Sequence, residues 1–270
     1  MIRKILVVFI AAAAWVACSK NPITGRSQAK AFPESLMQSL GASEYQNFLS
    51  SNRPVNSSVN RDVDMVRRVG QRISRAVTNY YTSKGYADRL QGYNWEYNLI
   101  ESKEINAWCM PGGKIVVYTG LLPVTQNEAA LAVVMGHEVS HAIFNHGNER
   151  MTMAAGAELF SVGLDVAMQN KPAETRNAFL AAFGLGTTVG VLLPFSRKHE
   201  LEADHWGLNW AAMAGYNPQE GIGLWQRMER ASNGNKPPEF LSTHPSETNR
   251  IEQLQKFMPE AMKYYKPMGN

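Results

Sequence analysis

The chain has 270 residues, 44% of them hydrophobic and 19% charged, a globular balance that excludes wholesale disorder and leaves room for one large domain or two small ones. Its formal charge of +4 comes from 27 basic against 23 acidic residues, and Arg3 and Lys4 in the leader carry part of it. No basic stripe with interleaved aromatics is present, which argues against nucleic acid as a partner.

Arg3 and Lys4 precede the uncharged run Ile5 to Val16. This reads as a signal peptide over 1–17, too short to span a membrane as a mature helix. It ends Trp15-Val16-Ala17-Cys18. A small residue before a cysteine at the end of an apolar run resembles the bacterial lipobox, which makes Cys18 the expected lipidation site. The membrane is then a partner through a lipid anchor. The alternative is ordinary secretion with Cys18 unmodified. With Cys18 acylated, Cys109 lacks a disulfide partner, and a domain of this size can hold its core without one.

Residues 19 to about 32 are polar and turn-rich and read as a tether. A helical patch is expected from about Pro33 to Ser50. From Val59 to about Tyr81, Val63, Val66, Val69, Ile73 and Val77 recur at helical spacing and predict an amphipathic helix. The segments Asn94–Ile100 and Lys114–Tyr118 predict strands, with a third over about Glu104–Met110. Within it, the segment around Asn106 to Met110 is a candidate exposed edge strand that binds substrate as an extended peptide. Thr125 and Glu128 have the spacing of a capping box, and Gly147 is the expected stop of the helix between them. Further helices are predicted at about 151–169, 173–192, 197–214, 218–231 and 246–258. The uncharged run Ala178–Phe195 contains three glycines and reads as a buried or membrane-surface helix rather than a span. No internal repeat is visible. The expected division is 1–17 leader, 18–57 tether and N-terminal helical segment, and 58–262 catalytic domain.

Inside the helix predicted from Thr125 lies His137-Glu138-Val139-Ser140-His141. Histidines four apart share one helix face, so both imidazoles can reach one metal ion. Glu138 then stands beside the place a metal-bound water would take. This H-E-x-x-H constellation is that of a zinc hydrolase acting on peptide bonds. Zinc needs a third protein ligand and an open position. Candidates lie in Ser196-Arg197-Lys198-His199-Glu200-Leu201-Glu202-Ala203-Asp204-His205, and spacing alone does not choose among His199, Glu200, Glu202, Asp204 and His205. Glu200 and Asp204, four apart, suit a ligand and a carboxylate that orients a ligand histidine.

The motif, followed by Ser-Arg-x-x-Glu-x-x-Ala-Asp, resembles the gluzincin family of the CAAX prenyl endopeptidase, the protease HtpX and the periplasmic β-barrel assembly-enhancing protease. The resemblance covers roughly Asp62 to Phe257. It includes Asn106-Ala107, Pro111-Gly112-Gly113, Gly120-Leu121-Leu122, and Thr243-His244-Pro245 with Arg250. It implies a mostly helical α+β zincin with a small β-sheet and one Zn2+ per chain held by His137, His141 and Glu200. Asp204 is then the carboxylate behind a ligand, Glu138 the catalytic base, and His244 and Arg250 catalytic groups near the metal that support an oxyanion. His146, His199 and His205 are left as structural or exposed, and Cys109 as a core residue. The expected activity is zinc metalloendopeptidase cleavage of unfolded or misassembled envelope proteins by a lipid-anchored periplasmic protein, at the outer membrane. The rival expectation is an envelope lipoprotein chaperone or assembly factor with little or no proteolysis.

Overall fold

A run of valines and isoleucines on one face needs an apolar surface to cover it, and the first long helix shows what it meets. In the computed structural model, which describes residues 18–56, 60–153, 172–183, 196–231, 238–244 and 249–267, this helix spans Arg61–Ser83. It is α2 below, and α1 is Glu34–Ser51. Asn60 caps α2 by accepting from the backbone N–H groups of Asp62 and Val63. Val63, Val66, Val69, Ile73 and Val77 are all buried in the main core. Each contributes roughly 1.5–3 kcal/mol of burial against its exposed state.

That core is roofed by a three-stranded sheet. Strands β3 (Glu96–Ile100), β4 (Ala107–Met110) and β5 (Lys114–Tyr118) lie in the order β3-β5-β4. β5 is central, parallel to β3 and antiparallel to β4. Ile115, Val116 and Val117 are fully buried, as a continuous β-branched run covered on both faces requires. The sheet separates two apolar layers. Ala107 and Cys109 face the main core, whereas Trp108 and Met110 face a second cluster with Tyr45 of α1 and Phe179. Gly112 and Gly113, at φ of 84° and 82°, make the β4–β5 turn. A Cβ at Gly113 would sit 2.6 Å from the Trp95 ring, so only glycine fits there. β4 takes the edge position expected of it. Its residues are nonetheless 1–5% exposed, so the exposed edge anticipated from sequence is covered.

The helices that surround the sheet and core include α3 (Glu128–Ile143), α4 (Pro172–Ala182), α5 (Arg197–Met213), α6 (Glu220–Ala231), α7 (Glu239–Thr243) and α8 (Arg250–Tyr264). The α+β, mostly helical expectation therefore holds. Most of the predicted 151–169 helix, and the parts of the predicted 173–192 helix and of the uncharged run Ala178–Phe195 beyond residue 183, lie outside the described residues. Among the described residues, no helix is long and apolar enough to cross a membrane.

Three local expectations are corrected. The cap of α3 is Asn127, whose Oδ1 accepts from the Ala130 N–H at 2.8 Å. Gln126 at φ 66° turns the chain just before it, which leaves Thr125 in the preceding turn, donating to the Leu122 carbonyl. The stop after α3 is Asn145 at φ 58°, not Gly147, and helix resumes over 146–153. Gly147 instead receives the Phe183 ring, with which any Cβ would collide. Finally, the polar stretch read as a tether is a docked hairpin. β1 (Cys18–Lys20) pairs antiparallel with β2 (Ser27–Ala29). Asn21 Oδ1 accepts from the N–H groups of Ile23 and Thr24, and Gly25 at φ 71° completes the turn. Gln28 and Arg26 of this hairpin reach carboxylates of the helical layer, which anchors a segment whose composition alone reads as loop.

Candidate metal centre

The most extensive helix–helix contact in the molecule is between α3 and α5, and glycine makes it possible. A Cβ on Gly136 would lie 2.8 Å from the Gly207 carbonyl oxygen, and one on Gly207 would lie 2.9 Å from the His137 backbone nitrogen. Two backbones this close bring the H-E-x-x-H face of α3 against the first turns of α5. Behind the motif, Ser140 turns away from the site. Its hydroxyl donates to the Gly136 carbonyl and accepts from Trp210 Nε1 on α5.

On the other face the side chains of His137, His141, Glu200 and His244 converge. His141 Nε2 lies 3.0 Å from His137 Nε2, which lies 3.3 Å from His244 Nδ1. Glu200 Oε1 lies 3.1 Å from His244 Nδ1 and 3.4 Å from His141 Nε2, and Oε2 lies 3.5 Å from His137 Nε2. A tetrahedral zinc ion with bonds of about 2.0–2.1 Å separates its ligands by about 3.3–3.4 Å. The observed separations, 3.0 to 3.5 Å, bracket that edge. Three imidazole nitrogens and a carboxylate oxygen this close together leave no room for a proton on every ring nitrogen, and a cation among them would satisfy all four donor atoms. The donor set of three nitrogens and one oxygen, all nearly fully buried, fits a zinc ion. His244 comes from the end of α7, where its N–H donates to the Phe240 carbonyl at 2.9 Å.

Protonation follows from the surroundings. Burial, and then the neighbouring histidines, push the His141 pKa well below the usual imidazole value, so the ring is neutral and its lone pair available. Burial alone would raise Glu200 and Asp204. For Glu200 the nearby His244, His137 and Arg250 outweigh it, and for Asp204 Arg250 and His137 do, so both carboxylates are held below their ordinary values. Glu138 is different. Burial dominates and raises its pKa, although His244, His137 and Arg250 pull against the shift. Its Oε1 is 3.5 Å from His244 Nε2 and accepts no hydrogen bond from a described residue.

Each metal-facing histidine of α3 has a backing group. His137 Nδ1 lies 2.9 Å from Asp204 Oδ1. Arg250 grips Asp204 in turn, Nε donating to Oδ2 at 2.7 Å and Nη2 to Oδ1 at 2.6 Å. Nη2 also lies 3.3 Å from Glu200 Oε2, Nη1 donates to the His244 carbonyl, and the guanidinium lies over the Trp225 ring. Arg250, expected as an oxyanion donor, thus has its hydrogen bonds committed to the carboxylates behind the metal. His141 is backed by a residue the sequence reading left aside: its Nδ1 lies 2.9 Å from His146 Nδ1, and His146 Nε2 lies 2.7 Å from Glu202 Oε2. Burial lowers His146 to about 4, which keeps it neutral. His199 stacks on His146 with ring centroids 4.3 Å apart. His146 lies five residues past His141, about 1.4 helical turns, so an unbroken helix would turn it to another face, and the break at Asn145 hides its link to His141 from the sequence. His205 is peripheral, paired with Glu260 at 3.0 Å. Cys109 is buried and free, and burial pushes its thiol well up, as a core cysteine requires.

A helix bearing H-E-x-x-H, crossed by a second helix that delivers a glutamate to the same point, defines a zincin-like metal centre. Residues 67–258 match peptidase family M48, and the chain belongs to that family. Among its relatives, the mitochondrial metalloendopeptidase OMA1 of Schizosaccharomyces pombe is 36% identical over 194 residues, covering 70% of this chain and 53% of that protein. The mitochondrial metalloendopeptidase OMA1 of Danio rerio is 30% identical over 256 residues, 90% of this chain and 51% of that protein. The β-barrel assembly-enhancing protease of Escherichia coli is 30% identical over 161 residues, 58% of this chain and 33% of that protein. The chain therefore spans about half the length of these relatives, or less.

Proposed function

We propose that this protein is a zinc-dependent endopeptidase that hydrolyses peptide bonds in unfolded or misassembled proteins of a bacterial envelope. The observation that carries the reading is Glu138: a buried carboxylate with an uncommitted oxygen, beside four donors spaced for zinc. His137, His141 and Glu200 are the ligands in this proposal. The ion supplies Lewis acidity, polarising the scissile carbonyl and making its bound water acidic. Glu138 accepts the proton of that water and delivers it to the leaving amine. Its raised pKa suits both halves of that task. Asp204 fixes the His137 ring, and Arg250 holds Asp204 and Glu200 ionised.

His244 has two faces in this scheme. Its Nδ1 takes the fourth corner of the donor tetrahedron, and its Nε2 points toward Glu138. With a metal bound, water and substrate would need that corner, and a His244 ring displaced from it would lie beside the reacting carbonyl, where it would support the oxyanion. The buried, four-donor arrangement predicts a low basal rate. It also keeps open the second reading, a chaperone or assembly factor that binds unfolded chains and rarely cuts.

Zinc dependence is tested on the purified chain with casein. Cleavage is expected to stop with a chelator and to return on adding about one equivalent of zinc. Casein cleavage that persists in chelator contradicts the proposal. We further propose a leader over 1–17, a catalytic domain over 58–262, and attachment of the protein to the outer membrane, facing the periplasm, through acylated Cys18. A Cys18→Ser chain is expected in the soluble periplasmic fraction or as an uncleaved precursor. Unchanged membrane retention and size would count against acylation.

A further inference from the structure

The zinc ligands of this proposed site sit more than a hundred residues from the N-terminal hairpin, yet polar contacts connect them. His141 Nε2 faces the metal, so in the liganded form its proton resides on Nδ1. That N–H points at His146 Nδ1, 2.9 Å away. His146 must then accept at Nδ1 and carry its own proton on Nε2, which donates to Glu202 Oε2 at 2.7 Å. The direction of every bond is fixed from the metal outward. The same Glu202 oxygen receives Arg26 Nε at 2.7 Å. Arg26 also donates from Nη1 and Nη2 to Glu149, at 2.7 and 2.6 Å. Gln28 adds a further bond to Glu149, whose Oε2 lies 3.4 Å from His199 Nε2. His199 in turn stacks on His146. The hairpin thus terminates a relay that starts on a metal-facing ring.

We propose that His146 and Glu202 are positioning residues for His141, and that Arg26 of the N-terminal hairpin completes their relay, making residues 20–29 a working part of the metal centre. The inference rests on the zinc site proposed above. Arg26 satisfies and orients Glu202, Glu202 fixes the His146 tautomer and ring plane, and His146 fixes the plane of His141. This is the arrangement by which a carboxylate behind a metal-bound histidine raises its basicity and holds its ring, extended by one imidazole. The Arg26 side chain is part-buried but belongs to neither apolar cluster, so Met in its place leaves the core packing intact.

The test measures the zinc dissociation constant of the full chain by competition with a chromogenic chelator, without reference to activity. His146→Ala is expected to weaken zinc binding on the order of 10–100-fold, the range for lost outer partners of metal ligands. His146→Gln, whose amide can accept from His141 and donate to Glu202, is expected to restore most of it. Arg26→Met is expected to weaken binding by a smaller factor. In combination with His146→Ala it is expected to add little, because both act along one path. In combination with Asp204→Asn, which acts on His137, its effect is expected to multiply in full. Unchanged zinc affinity in Arg26→Met, or full multiplication with His146→Ala, overturns the inference. If His146→Ala does not fold, Arg26→Met and His146→Gln still decide. Failure of the wild-type chain to bind zinc would instead refute the site itself.

Discussion

The two histidines of the motif lie one turn apart on the same helix, but they are held from opposite sides by different means. His137 is backed by Asp204, a short carboxylate four residues beyond Glu200 on α5 and clamped by Arg250. His141 is backed by another imidazole, a glutamate and an arginine from a hairpin over a hundred residues away. The first arrangement is compact and drawn from three helices, α3, α5 and α8. The second spreads across the fold and ties the N-terminal segment to the metal. Rigidity at a metal site can therefore come from one buried ion pair or from a chain of weaker bonds, and the two respond differently to damage.

The largest expected effect removes the distinction. His137→Ala and His141→Ala should each drop zinc from about one equivalent per chain to a small fraction, because three protein ligands are the minimum for a catalytic site. Metal analysis of the purified variants checks this. Zinc near wild-type level in His141→Ala would leave that ring outside the ligand set, and its backing relay without a purpose.

An intermediate effect strikes both sides at once. Gly207→Ala places a methyl 2.9 Å from the backbone of His137. Alanine gains about 0.5–1 kcal/mol over glycine in a helix, but overpacking against backbone costs about 1–3 kcal/mol, so the net is destabilising. Thermal unfolding should show a lower Tm, together with weaker zinc binding as α3 and α5 part. A Tm at or above wild type would mean that the helices can shift at no cost.

The smallest effect belongs to the hairpin side alone. Arg26, His199 and the surrounding bonds hold the Glu149 pKa down to about 2 although burial opposes them. A depressed carboxylate contributes stability that is fully present above its unfolded value, about 4.5, and fades as pH falls toward 2. Glu149→Gln should therefore be less stable than wild type at pH 7, with the difference narrowing across that acid window. Denaturant titrations at several pH values measure it. A difference that stays constant with pH would show that the loss is not ionic.

The same contrast explains what the sequence could disclose. The His137 side was legible in two steps: His137 and His141 stand out by their four-residue spacing, whereas Glu200 and Asp204 were singled out from their helix by the family resemblance and not by spacing. The β-branched, glycine-bounded run Lys114–Tyr118 and the valine stripe of α2 were legible too, each being a local pattern with a single structural meaning. Three things were not. Arg26 and Gln28 lie in a stretch whose composition says loop, and their importance appears only when Glu149 and Glu202 arrive from elsewhere in the fold. His146 follows a left-handed Asn145 that resets the helical phase, so counting from His141 misplaces it. The covered β4 edge and the Arg250 clamp depend on what packs against them, which no single segment encodes. The Gly136–Gly207 crossing is intermediate: both glycines are visible, but only their apposition shows why the helices need them.

The most direct test of the account is the casein-cleaving activity of Glu138→Gln measured beside its zinc content. Glutamine keeps the shape of the side chain but cannot accept the proton of a bound water. The variant is therefore expected to retain about one equivalent of zinc and a wild-type fold while losing activity on the order of 100-fold or more. In cells it is expected to bind uncut substrate and to fail in relieving assembly defects. Cleavage close to the wild-type rate, with zinc still bound, would contradict the assignment of Glu138 and with it the proposed reaction.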